Sequence, residues 1–115
     1  MTKEELLKVL DMSEDEQWGW LIYNRAKYGY VLFQDCLSGN SKRMAIADLA
    51  FRLRDEAIML KEFPFLMARV YNHAHGYKPN KGEIHAPIMM MWIWFAGYAK
   101  PIHWVIASLI AKETK

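Results

Sequence analysis

Apolar residues recur along this chain at spacings of three and four, the period of a helix that buries one face. Leu6, Leu7 and Leu10 form the apolar side of a first short helix, and Thr2 with Glu5 has the spacing of a capping box. Ser13 with Glu16 repeats that spacing before Trp18, Leu21, Ile22 and Arg25, which keep the i, i+3, i+4, i+7 register of a second helix. Gly29 predicts where it stops. The stretch "YGYVLFQDCLSGN" holds strand-forming residues but offers no second strand to pair with, so it is read as a helix extension or a packed irregular segment. Ser38-Gly39-Asn40 predicts a turn.

The strongest periodicity lies in "KRMAIADLAFRLRDEAIMLKEF", with Ile46, Leu49, Leu53, Ala57 and Leu60 as its buried stripe. Asp48, Arg52 and Glu56 follow at i, i+4 and predict an ion ladder. Asp48, Asp55 and Glu56 could pair as carboxylates, but with Arg52 and Arg54 among them they are read as a solvated, ion-paired face. Phe63, preceding Pro64, predicts the end of that helix. Pro64 opens the next, "PFLMARVYNHAHG", which stops at Gly76. A polar loop, "YKPNKGEIHAP", follows.

From Ala86 to Ala111 the chain has one fixed charge, Lys100, and one histidine, His103. A bilayer-spanning helix needs about 20 largely apolar residues, and a central lysine costs it about 2.5–3.5 kcal/mol. Lys100-Pro101 interrupts this run. Proline suits the first turn of a helix, so Pro87 and Pro101 each predict the start of a short helix, and the pair forms a hairpin rather than an anchor. The helix Pro87–Tyr98 is apolar all round, which predicts a central position or burial in a homodimer interface. Its partner places Ile102, Val105, Ile106, Leu109 and Ile110 on one face. The expected architecture is all-α: one domain over residues 1–115, a compact bundle of five or six short helices with an apolar C-terminal hairpin. The eight methionines and five tryptophans are read first as core filling.

Composition narrows the function classes. The charged opening "MTKEELLKVLDM" has no apolar signal region, and a lone Cys36 excludes an internal disulfide framework and suits a reducing cytoplasm. Charge is uneven: residues before Arg25 carry a net of about −4 and the rest about +6. No nucleophile-elbow, metalloprotease, phosphate-loop or dinucleotide fingerprint occurs, so no catalytic residue and no cofactor is assigned. His73, His75 and His85 could converge on a metal only if the helix has ended at the first two, and they are read as loop histidines. The layout of "EELLKVLDMSEDEQWGWL" is that of a helix-turn-helix. However, Glu14-Asp15-Glu16 would repel phosphates where a recognition helix meets DNA, while favouring the helix dipole. The candidate contact surface is "RVYNHAHGYKPNKG", where Arg69, Tyr71, Tyr77, Lys78 and Lys81 combine positive charge with stacking rings.

The segments "IADLAFRLRDEA" (Ile46–Ala57) and "AKPIHWVIASLIAKE" (Ala99–Glu113), with the opening "LDMSEDEQWGWL", resemble stretches of small proteins encoded by bacteriophages and prophages, over about a third of the chain. The resemblance implies a non-enzymatic accessory protein in the cytoplasm of a bacterial host. Such a protein would bind and inhibit or adapt a host protein or nucleoprotein complex, in its sharpest form as an anti-CRISPR-like defence inhibitor. The alternative, read from the residues, is a small nucleic-acid-binding transcriptional regulator using the N-terminal helix pair or the basic loop.

Overall fold

A computed structural model describes residues 2–32, 39–59, 63–76 and 88–113. Among these it contains six α-helices and no strand: α1 (Lys3–Val9), α2 (Glu14–Tyr28), α3 (Gly39–Ile58), α4 (Phe63–Ala74), α5 (Ile88–Gly97) and α6 (Pro101–Glu113). The radius of gyration, 13.6 Å, is that of a compact chain of this length. No described helix is long and apolar enough to cross a membrane.

The local signals for helix ends operate in full at α2 and in half at α1, where Thr2 caps without a reciprocal bond from Glu5. Thr2 Oγ1 accepts from the Glu5 N–H at 3.2 Å. Ser13 Oγ accepts from the Glu16 N–H, and Glu16 Oε1 accepts from the Ser13 N–H, both at 3.3 Å, which closes a reciprocal capping box at α2. Ser13→Ala removes one of these bonds and loosens the other, so a loss of about 1 kcal/mol is expected, read as the shift of the urea unfolding midpoint. A change below a few tenths would show that the box is not formed in solution. Gly29 ends α2 with φ +71°, a left-handed conformation that suits glycine alone among common residues, and it excludes a helical extension into Tyr30. Tyr30 and Leu32 are instead a packed, irregular segment: both are buried, and the Tyr30 hydroxyl donates to the Leu21 carbonyl at 2.6 Å.

Two predicted boundaries move. The turn expected at Ser38-Gly39-Asn40 is replaced at Gly39 and Asn40 by the first turn of α3. That helix ends at Ile58 rather than at Phe63, because Phe63 turns inward as the first residue of α4, 1 % exposed. The α3 stripe Ile46, Leu49, Leu53 and Ala57 is buried, joined by Ala45 and Ala50; Leu60 lies outside the described residues. On α1 the buried pair is Leu6 and Val9, with Leu7 and Leu10 only packed against the core.

The larger correction concerns which apolar helix is central. It is α6, buried at every position from Val105 to Ala111 and packed against α1, α3 and α4. Small Ala107, Ser108 and Ala111 let neighbouring helices approach it closely, and the Ser108 hydroxyl is satisfied by the Trp104 carbonyl at 2.8 Å. The end of α2 is tied to the end of α6. The Tyr28 hydroxyl donates to Glu113 at 2.7 Å, and the Lys112 ammonium donates to the Tyr28 carbonyl at 3.0 Å. The first of these bonds holds the Glu113 carboxyl below its usual range. In contrast, α5 packs on α4, and of its described side chains only Met91 and Phe95 are buried, so it is not the central helix. Of the described methionines Met67 and Met91 are buried in the core and Met12 packs against it, while Met44, Met59, Met89 and Met90 are exposed.

Candidate interaction surface

An α-helix advances about 100° per residue, so α5, seated on the bundle by one side, turns its other side outward. Met91 and Phe95 take the inward side of α5. The opposite arc carries Met89, Met90, Trp92, Ile93, Ala96 and Gly97, with no charged residue among them. Met89 is 73 % exposed, Ile93 56 % and Met90 53 %. The helix is held from beneath by an aromatic cluster. Phe95 meets Trp104 edge-on at 4.8 Å and Trp94 at 4.9 Å, and the Trp104 indole N–H donates to the Phe95 carbonyl at 3.1 Å.

The exposed arc does not stop at α5. Trp92 lies 6.5 Å from Trp104, ring centre to ring centre, and Trp104 stacks on Phe63 at 6.2 Å. Over Trp104 sits the Arg54 guanidinium, 5.7 Å from its ring centre and 4.5 Å from that of Phe51, which is 61 % exposed. Arg54 thus leaves the ion-paired face predicted for α3. The ladder keeps Arg52 on Asp48 at 2.9 Å, with a further bond from Arg52 to the Val31 carbonyl at 2.6 Å. The result is a strip of Met, Ile, Trp, Phe and Arg from α5 across α6 to α3. Trp, Met, Phe and Arg are the residue types enriched at the cores of protein interfaces.

A cleft of about 290 Å³ opens between the starts of α2, α3 and α6. Its charges largely compensate one another: Arg43 grips Glu14 through two nitrogens at 2.9 and 3.1 Å, and Lys42 approaches Asp15 at 3.8 Å. The Arg43 guanidinium holds the Glu14 carboxyl below its usual range and is itself held more firmly protonated. The cleft therefore holds an ionic clasp of α2 to α3.

No family model, curated protein or solved structure matches this chain. The surface has to be judged on its own chemistry.

The residues expected to form a basic contact surface are placed only in part. Arg69 is half-buried and reaches Glu4 at 3.9 Å. Tyr71 is 7 % exposed, stacked on His75 at 4.0 Å and edge-on to Trp94 at 5.4 Å, so its ring packs inward. Tyr77, Lys78 and Lys81 lie outside the described residues, as do Cys36 and His85. Among the described residues no group of three His, Cys, Asp or Glu is placed to hold a metal. His73 pairs with Asp11 at 2.9 Å, His75 Nδ1 meets the Tyr71 carbonyl at 2.8 Å, and His103 Nδ1 accepts from the Lys100 N–H at 2.9 Å. The strip itself was missed in the sequence. Its one legible sign is the absence of any charge across α5, which by itself predicts a central helix or a homodimer interface.

Proposed function

We propose that the protein is a non-enzymatic accessory protein of bacteriophage type that binds a host protein or nucleoprotein complex in the bacterial cytoplasm and inhibits or adapts it. An anti-defence role, in the manner of an anti-CRISPR, is the sharpest form of the reading. The phage setting rests on the sequence resemblance. The binding role rests on one observation, the uncovered apolar face of α5. At roughly 150–250 Å² per large side chain, the exposed parts of Met89, Met90, Trp92, Ile93 and Phe51 offer on the order of 500–600 Å². That is the upper end of what a monomer leaves bare, and about two-thirds of one partner's share of a standard interface.

The test is affinity capture from bacterial lysate with the tagged chain, with and without nuclease, beside Ile93→Glu. Ile93 is exposed, so its replacement should change stability by no more than about 0.5 kcal/mol. The parent should retain a stoichiometric, nuclease-resistant protein partner, and Ile93→Glu should retain less than about a tenth of it, since a charge placed in a dry contact is left unpaired. Equal recovery by the two proteins, or recovery of nucleic acid alone, would remove this reading.

A further inference from the structure

The chemistry of the occupant is written in Arg54. Arg43, Arg52 and Arg69 each sit on a carboxylate, whereas Arg54 makes no ion pair among the described residues. The reason is helical geometry. Its neighbours three and four residues away are Ala50, Phe51, Ala57 and Ile58, none of them acidic, while Asp55 and Glu56 lie at spacings that point elsewhere. Its Nε is buried without a hydrogen-bond partner, and the guanidinium is spread over Phe51 and Trp104. A guanidinium resting near two rings is partly stripped of water, and its planar fork matches the two oxygens of a carboxylate. Apolar surface lies directly beside it, through Trp104 and Trp92 to Ile93 and Met89.

We infer that this strip docks a protein segment that presents a carboxylate beside bulky apolar side chains, with Arg54 taking the carboxylate and the α5 face taking the apolar groups. The inference rests on the reading of α5 as an interaction surface and adds the class of partner. Charge complementarity selects this occupant over the others. A second copy would bring another unpaired Arg54 to any two-fold contact centred on the strip, and two like charges repel. Nucleic acid would meet a strip on which Arg54 is the one cation among the described residues, and a phosphate backbone is held by several.

The experiment is selection of a displayed random dodecapeptide library on the immobilised full chain. Fluorescence anisotropy of one synthesised winner follows, against the parent, Arg54→Lys, Arg54→Glu and Ile93→Glu. Enriched peptides should carry Asp or Glu within four residues of Trp, Phe or Leu. Affinity should fall at least tenfold in Arg54→Glu and less in Arg54→Lys, which keeps the charge and loses the planar fork. A peptide with its acid changed to Lys should recover binding to Arg54→Glu. Circular dichroism confirms that each variant is folded, and Arg54→Lys serves if Arg54→Glu is not. Winners without an acidic residue, affinities unchanged across the Arg54 variants, or no enrichment would overturn the inference. Loss of binding in Ile93→Glu alone would sink the acidic partner while leaving the interaction surface standing; indifference to both substitutions would remove both. A concentration-dependent dimer in sedimentation that Ile93→Glu abolishes would assign the face to a second copy and overturn the inference as well.

Discussion

Phe95→Ala is expected to lower the unfolding free energy by about 3–5 kcal/mol, the range for deleting a buried aromatic ring. Phe95 is 2 % exposed and wedged between Trp94 and Trp104, each ring centre within 5 Å. The hydrogen bond from the Trp104 indole goes to the Phe95 backbone and survives the substitution. The loss therefore comes from the apolar area and the cavity left under α5. Small domains are stable by about 5–15 kcal/mol, so the variant should unfold at a much lower urea concentration, with tryptophan emission as the readout. Phe95→Leu refills part of the space and should recover most of the loss. A deficit below about 1 kcal/mol for Phe95→Ala would mean that α5 does not pack through this ring. The consequence reaches function, because Phe95 and Met91 are the two buried side chains among the described residues of α5 and so set the orientation of its exposed face.

Acid should destabilise the protein through His103. Burial, together with the Lys100 charge, pushes the imidazole from its ordinary 6.5 down to about 4 in the folded state. His73 and His75 add smaller effects in the same direction. The structural reason is visible at the start of α6. Pro101 supplies the first helical position, and His103 Nδ1 accepts from the Lys100 N–H, the place a Glu would take in a capping box. A proton on Nδ1 would turn that acceptor into a donor facing a donor. The unfolded chain binds this proton near pH 6.5 and the folded chain only near 4. The contribution is therefore fully present above about pH 6.5 and is lost as pH falls toward 4. With allowance for solvent around a partly exposed ring, the loss is about 1–2 kcal/mol. His103→Gln keeps an acceptor that does not titrate, so its urea midpoint should fall less than the parent's between pH 6.5 and 4. Carboxylates that titrate in the same range act alike in both proteins and cancel in the comparison. Parallel pH profiles would show that His103 is not held neutral.

These two sites also show how differently the parts of the chain could be read. Both ends of α2 were legible because their causes are local. Ser13 and Glu16 reach each other's backbone three residues apart, and Gly29 is the residue that tolerates a left-handed stop. Pro101 marked the start of α6 for the same reason. The basic contact surface was drawn from residue types in a row, and helical geometry divides such a row. Arg69 faces Glu4, and Tyr71 turns into the core against His75 and Trp94.

What the sequence by itself determined is the all-helical class, the capped ends and the two apolar helices near the C-terminus, because helix period, capping and proline geometry act over three or four residues. Only the tertiary structure decided that α6, and not the more apolar α5, is the axis, and that Arg54 leaves its own ion-paired face for Trp104, 50 residues away in sequence. Apolar character says that a side chain gains by leaving water. Whether it does so depends on which neighbours reach it, and small residues let three helices close on α6 while α5, seated by Met91 and Phe95, keeps its outer face bare.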